Sequence, residues 1–252
     1  MKIAMKSKES PVITYTTISE KGNRLINEDS LAVKNISNNF YFLVADGLGG
    51  HERGEVASRM VADKVIKCFE NNSMDADFIE KTFEVCQNEL LKAQQQRRAF
   101  NEMKTTMVLC TICRQTLKWG YIGDSRLYIF KGSNLVQRTL DHSVPQMLVA
   151  AHEIKEKDIR FHPDRNRLLR VMGTSWEKPE YELGAHIRIT PKTSMLMCTD
   201  GFWELVDEKA MIKCLGKART VQEWVDSMKK IVEQNGQGRE MDNYSAIGIW
   251  CR

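Results

Sequence analysis

The sequence has no apolar run long enough to cross a bilayer, which takes about 20 consecutive apolar residues. Its first residues, MKIAMKSKESPV, also lack the apolar stretch of a secretory signal peptide. We therefore expect a cytoplasmic protein that makes no contact with a membrane.

An excess of charge of one sign is missing as well. Lysine and arginine number 37 and aspartate and glutamate 33, so the formal net charge over 252 residues is only +4. Nucleic-acid-binding proteins usually carry a larger basic excess, and single-strand binders add aromatic side chains for stacking. Aromatic residues make up 8% of this chain and mostly lie in apolar runs. We therefore expect no nucleic-acid partner.

The cysteines suggest neither a disulfide framework nor a zinc site. Seven are scattered along the chain, and an odd number without a signal peptide predicts reduced thiols. Cys110 and Cys113 lie three apart in a β-rich stretch, where such positions face opposite ways, and no second pair completes a zinc site. Four histidines also lack metal-site spacing and are predicted to be surface or structural residues: His142, His152, His162 and His186.

Hydrophobic periodicity predicts a mixed α+β protein. The chain has no repeat and no Pro/Gly/Ser-rich linker, and its helices and strands do not alternate as a parallel βαβ sheet requires. Segment 141–173 is polar and is predicted to form a lobe inserted beside the core. Helices are predicted over 55–69, 76–97 and 221–232, and strands over 12–18, 31–36, 40–45, 105–113, 118–123, 126–130, 194–199 and 245–251.

Aspartates recur where apolar strands begin or end. They are Asp46 in FYFLVADGLGGHERGE, Asp124 in YIGDSRLYIF, Asp200 in SMLMCTDG and Asp242 in MDNYSAIGIW. Any one of them alone is most simply a turn residue. If all four converge, a hard divalent cation such as Mg²⁺ or Mn²⁺ would offset their repulsion. Gly47, which follows Asp46, would let its own carbonyl approach such an ion.

A charged turn precedes the first of these aspartates. The stretch SEKGNRLINEDS places Arg24, Asn27, Glu28 and Asp29 within six positions. Alone, this pattern is typical of a solvated turn. Beside bound dications, however, a guanidinium group favours an anionic substrate such as phosphate.

Seven motifs, taken together, resemble a known family, the bacterial metal-dependent serine/threonine phosphatases of the PPM or type 2C class. They occur in the family's order between about Ser19 and Ile249. The motifs are SEKGNRLINED, VADGLGGHERGEVAS, IGDSRLY, DHSV, HPDRNRLLRVMG, LMCTDGFWE and MDNYSAI.

The resemblance implies a single domain over residues 1–252, folded as a four-layer α-β-β-α sandwich of two antiparallel sheets. Segment 141–173 would be its flap, and two Mn²⁺ or Mg²⁺ ions would lie at one end, with a weaker third ion. The implied ligands and contacts are Asp46 bridging both core ions, Gly47 through its carbonyl, Asp200 and Asp242 on the other ion, Asp124 on the third, Glu28 and Asp29 through water, and Arg24 on the phosphate.

The resemblance also implies the reaction. A hydroxide bridging the two ions would attack phosphoserine or phosphothreonine in line, without a phosphoenzyme. Phosphorylated proteins would be the substrates of a monomeric enzyme that opposes a bacterial Ser/Thr kinase. Two rivals stay open at this stage: a binding module without turnover, and another two-metal hydrolase such as a nuclease or a nucleotide phosphatase.

Two positions depart from the family pattern. Glu20 stands where Asp is usual, and Leu48 stands where animal members have a histidine that can protonate the leaving group. The proton would then come from a water, from His51 or from solvent. In the flap, arginines 160, 165, 167 and 170 either pin the lobe to the core or steer acidic phosphopeptides.

Overall fold

The structure, a computed structural model, describes residues 11–48, 53–71, 76–99 and 102–252. Twelve strands and six α-helices are present in these ranges. The strands are β1 Ile13–Glu20, β2 Asp29–Ile36, β3 Asn39–Leu48, β4 Lys104–Thr105, β5 Met107–Cys113, β6 Thr116–Ile122, β7 Arg126–Lys131, β8 Asn134–Arg138, β9 Glu182–Leu183, β10 Ile187–Arg188, β11 Thr193–Cys198 and β12 Tyr244–Cys251. The helices are α1 Arg53–Asn71, α2 Phe78–Arg97, α3 Val144–Ala150, α4 Asp200–Trp203, α5 Glu208–Lys217 and α6 Val221–Gly236, with a 3₁₀ helix at Glu156–Phe161.

The strands form two sheets in which every pairing is antiparallel. One sheet has the order β1-β12-β11-β7-β8, and the other has the order β10-β6-β5-β3-β2, with β4 and β9 paired at its margins. In the second sheet Asp29 at the start of β2 lies directly opposite Asp46 near the end of β3. The register therefore brings two of the candidate carboxylates to the same edge.

The central strands are apolar along their whole length because both of their faces are covered. On β3, Tyr41 and Leu43 pack towards α1 and α2, whereas Phe42 and Val44 pack between the two sheets. The C-terminal helices cover the outer face of the other sheet, where Trp224 and Val225 of α6 join the core. The order of layers is therefore helix, sheet, sheet, helix, which confirms the predicted α+β sandwich with two antiparallel sheets.

The long periodic elements were predicted to within a few residues, but several short ones were missed. Strand β8 is an exposed edge strand, α4 is a single turn, and α5 buries only Met211 and Cys214. Helix α3 lies in the segment that was described only as polar. Such short or half-exposed elements give little periodic signal, since few of their side chains enter a core.

Segment 141–173 is closed at its base by backbone hydrogen bonds. The amide of Leu169 donates to the carbonyl of His142 at 2.8 Å, and the amide of Val144 donates to the carbonyl of Arg167 at 3.0 Å. The segment holds α3 and the 3₁₀ helix between these anchors. Its two ends therefore leave the core side by side, as an inserted lobe requires.

No helix within the described ranges has both the length and the apolar character that a membrane crossing demands.

Candidate functional site

The aspartates that were predicted from strand ends lie within electrostatic reach of one another. Burial raises the pKa of Asp46 well above its ordinary value, and the charges of Asp200, Asp29, Asp124 and Asp242 raise it further, in that order. Residues that are 17 to 196 positions away from Asp46 in the chain therefore act on the same carboxylate. The sheet ends converge, which a set of independent turn aspartates would not require.

The neighbouring carboxylates report the same crowding. Burial, followed by the charges of Asp124 and Glu204, raises the pKa of Asp200 well above its usual range. Burial raises the pKa of Asp29 and that of Asp124 to about 7, and for Asp124 the next cause is the charge of Asp141. A folded chain that holds this many anions together stores electrostatic repulsion that a cation would relieve.

These carboxylates do not by themselves form a closed ligand shell. Within the described ranges no three His, Cys, Asp or Glu side chains make a ready-made metal-binding group. Several of the carboxylates accept hydrogen bonds from the protein instead, among them Asp242 Oδ2 from Arg24 at 2.8 Å and Asp200 Oδ1 from the amide of Gly201 at 2.6 Å. The aspartates thus share one electrostatic environment, while some of their oxygens are turned towards protein donors.

The chemistry of the cluster nevertheless fits a hard cation. Its donors are carboxylate oxygens, which Mg²⁺ and Mn²⁺ prefer. Among the described residues no hydrogen-bond partner reaches the buried Oδ1 of Asp29, and its Oδ2 accepts from Thr199 Oγ1 at 3.0 Å. An unpartnered anionic oxygen beside other anions is stabilised most directly by a positive ion or by water bound to one.

Two threonines and a glycine contact fix the backbone of Asp46 and Gly47. Thr106 Oγ1 accepts the Asp46 amide at 2.9 Å, and the Asp46 carbonyl accepts from the Thr106 amide and from Thr105 Oγ1, both at 2.8 Å. A Cβ on Gly47 would overlap the backbone of Gly54, the second residue of α1. Glycine at position 47 is therefore required by close packing. Sequence reasoning missed both threonines, because their role depends on strands joined only in the fold.

Arg24 lies at the mouth of the site. Its side chain is 60% exposed and its guanidinium pairs with Asp242. Both residues line a cavity of about 490 Å³ together with Asp200. The predicted phosphate-binding arginine is thus next to two of the predicted ligands, on the solvent side.

Asn243 is a third residue that the sequence reasoning did not single out. Its Oδ1 accepts the Glu28 amide at 2.8 Å, and its Nδ2 donates to the carbonyls of Lys21 and Ile26, both at 2.9 Å. One side chain therefore ties the turn that carries Arg24 to the strand that follows Asp242. Its position inside the MDNYSAI motif was the available signal.

Asn243→Ala is expected to lower both kcat/KM and global stability, because the turn loses three hydrogen bonds, each worth about 1 kcal/mol net. We expect an unfolding free energy reduced by about 1–3 kcal/mol and a phosphopeptide kcat/KM reduced by about tenfold or more. Denaturant unfolding and steady-state kinetics measure the two quantities. Full activity in a destabilised variant would show that the tie is only structural.

Three of the four arginines predicted to lie in the flap have partners within the described residues. Arg160 donates to the carbonyl of Trp203 at 2.7 Å and to Glu208 at 3.1 Å, and Arg165 pairs with Glu204 at 2.9 Å. Arg170 lies 3.5 Å from Glu182. These contacts favour the pinning interpretation for Arg160 and Arg165.

Leucine, not histidine, stands at the position where a general acid was sought. Leu48 is half-buried at the end of β3, where it pairs with Lys104 of β4. His51, the alternative that the sequence offered, lies outside the described residues.

Comparisons with known proteins show which family the sequence and the fold resemble. A family model described as protein phosphatase 2C matches residues 19–243. This span includes the five aspartates of the cluster, Asp29, Asp46, Asp124, Asp200 and Asp242. The chain is 31% identical over 228 residues to the serine/threonine phosphatase stp of Listeria monocytogenes serotype 4b (strain F2365), with 88% of each chain covered. The solved structure of serine/threonine phosphatase Stp1 from Staphylococcus aureus has a TM-score of 0.86 at 25% identity, covering 96% of both chains. The catalytic domain of the phosphatase PstP, solved with two manganese ions, has a TM-score of 0.81 at 22% identity, covering 95% of this chain and 98% of that one.

Proposed function

The chain belongs to the protein phosphatase 2C family, and from this premise we propose which of its residues hydrolyse phosphoserine and phosphothreonine in substrate proteins. The enzyme is a metal-dependent protein serine/threonine phosphatase with Mn²⁺ or Mg²⁺ as cofactor. One observation carries the assignment of the site: Asp46 lies opposite Asp29 at one edge of the sheet, where burial and then the charges of Asp200, Asp29, Asp124 and Asp242 raise its pKa.

The proposed ligands follow from the cluster. Bound there, the ions would neutralise the carboxylates, acidify water and polarise phosphoryl oxygens. We assign Asp46 to both core ions and Asp124 to a third. The ions would also be held directly by the Gly47 carbonyl, Asp200 and Asp242. They would be held through water by Glu28 and Asp29.

The chain's own groups hold this arrangement in place. Thr105 and Thr106 fix the backbone of Asp46, and Thr199 orients Asp29 through its hydroxyl. Arg24 contributes a planar guanidinium that can hold two phosphoryl oxygens at once. Leu48 provides no proton, so protonation of the leaving serine or threonine oxygen falls to water at the site.

Arg24→Ala tests the phosphate end of the site. If the guanidinium holds the phosphoryl group in the ground state and the transition state, KM rises and kcat falls, for a combined loss of about 10²-fold. Arg24→Lys should recover only part of this loss, because an ammonium group lacks the planar fork. Steady-state kinetics on a phosphothreonine peptide measure both variants. Unchanged kcat/KM in Arg24→Ala would place this arginine outside the site.

We also propose that residues 1–252 form a single domain with residues 141–173 as its flap. We propose that the protein is a monomer and that it is located in the cytoplasm. The phosphoproteins that it acts on are proposed to be products of a bacterial Ser/Thr kinase. The native mass in solution would test the monomeric state. Removal of phosphate from an autophosphorylated kinase of this kind would test the proposed link to a kinase.

A further inference from the structure

A second cavity continues the catalytic cleft away from the aspartates. The first cavity, of about 490 Å³, contains Asp200, Asp242 and Arg24, and the second, of about 300 Å³, extends towards α5 and α6. Five residues line both cavities, so the two spaces are contiguous. They are Arg160, Phe161, Glu204, Leu205 and Arg239.

The second cavity has an apolar side among polar residues. Phe161, Leu205, Ala210 and Ile231 form this side, and the rest of the lining is Arg160, Glu204, Asp207, Asn235 and Arg239. Leu205, Ala210 and Ile231 are partly buried and pack against the core beneath α5 and α6. Phe161 is different, since 75% of it is exposed although it is the last residue of the 3₁₀ helix. A large aromatic side chain left in water beside an apolar recess is typical of a surface that is covered when a partner binds.

Hydrogen bonds fix the positions of the residues on both sides of the groove. On the flap side, Arg160 donates to the carbonyl of Trp203 and to Glu208, which fixes the residue before Phe161. On the helix side, Asn235 of α6 donates to the carbonyl of Leu205 at 2.7 Å. The recess is therefore preformed, and an occupant need not assemble it.

Two of the four charged residues that line the recess are in ion pairs within the protein: Arg160 pairs with Glu208, and Glu204 pairs with Arg165. Asp207 accepts a hydrogen bond from the amide of Ala210 at the start of α5. The apolar side of the recess suits an apolar group, and the continuity of the recess with the cleft places that group on the molecule whose phosphate lies at Arg24.

We propose that this recess, lined by Phe161, Leu205, Ala210 and Ile231, binds an apolar side chain of the substrate protein near its phosphorylated residue. The proposal rests on the proposed function, since the same polypeptide segment must fill both ends of the groove. It makes Phe161 a specificity-determining residue: it acts on the choice of substrate and leaves the chemistry at the aspartates unchanged.

The test uses phosphothreonine peptides in which one leucine is moved through the positions flanking the phosphorylated residue, in an otherwise Ala/Gly/Ser sequence. For the wild type we expect leucine at one position to raise kcat/KM about tenfold over alanine there, equivalent to about 1.4 kcal/mol. Phe161→Ala should lose this preference, and Phe161→Leu should keep most of it. Both variants should hydrolyse p-nitrophenyl phosphate at the wild-type rate, because that ester cannot reach the recess.

Val136→Ala is the matched control, since Val136 is an exposed apolar residue of β8 outside both cavities. A leucine preference that persists in Phe161→Ala, or no positional preference in the wild type, would overturn the proposal. So would a change of oligomeric state in Phe161→Ala on size-exclusion chromatography with unchanged peptide kinetics, which would assign the recess to a second copy. Loss of all hydrolysis by the wild type, including p-nitrophenyl phosphate, would instead contradict the proposed function.

Discussion

Asp46→Asn and Asp200→Asn are each expected to lower phosphopeptide turnover by about 10³-fold or more, because several kcal/mol of charge stabilisation by the ions is lost. The same changes should leave the metal-free protein at least as stable as the wild type. Burial and neighbouring carboxylates raise the pKa of both aspartates, so their ionised forms oppose folding at neutral pH. A neutral amide of the same shape removes that repulsion.

Activity in excess Mn²⁺ measures the loss of turnover. Denaturant unfolding in EDTA measures the stability of the metal-free protein. Asp63→Asn serves as control, since Asp63 is an exposed residue of α1 and should change neither quantity. If either site variant kept a rate near that of the wild type in excess Mn²⁺, the assignment of that aspartate as a ligand would be wrong.

Arg126→Met is expected to lower the free energy of unfolding by about 3–5 kcal/mol, since it leaves a buried carboxylate without its partner. Arg126 donates to both oxygens of Asp141, at 2.7 and 2.6 Å, and only 2% and 1% of the two side chains are exposed. Its guanidinium also lies 3.4 Å from the ring centroid of Trp203, whose indole nitrogen donates to the carbonyl of Asp124. The pair thus supports the turn that carries a candidate ligand.

The double variant Arg126→Met, Asp141→Leu separates the pair from the packing around it. Replacing both charges with apolar groups should restore much of the stability, because neither charge is then left buried alone. Arg170→Met is the control: Arg170 and Glu182 are about half exposed and 3.5 Å apart, and such a pair contributes about 0–1 kcal/mol. A loss in Arg126→Met no larger than that of the control would show that the buried pair adds little.

The sequence predicted four of the candidate ligands because each of these aspartates stands where an apolar strand begins or ends. Asp46 and Asp200 follow strands and precede glycines. This pattern can be recognised in the sequence without knowing which strands are neighbours. The resemblance supplied the individual roles of these ligands and the match of Arg24 to a phosphate-binding arginine. The convergence itself could be verified only in the fold, where β2 and β3 bring Asp29 opposite Asp46.

The supporting residues could not be predicted in the same way. Asn243 ties a turn more than 200 positions away, and the partner of Arg126 was one of several nearby carboxylates. A side-chain contact of this kind depends on the final packing of separate elements, and no periodic pattern records it. The recess at Phe161 could not be predicted for the same reason. Its four apolar residues come from segment 141–173 and from three separate parts of the C-terminal half.

The most direct test of the account is phosphate release from a phosphothreonine peptide by protein freed of metal with EDTA and then titrated with Mn²⁺. We predict negligible release without the ion, recovery as Mn²⁺ is added, and no recovery in Asp46→Asn at any concentration. Release that is equally fast in EDTA, or recovery of Asp46→Asn to the wild-type rate, would contradict the claim that the converging aspartates hold the ions that drive hydrolysis.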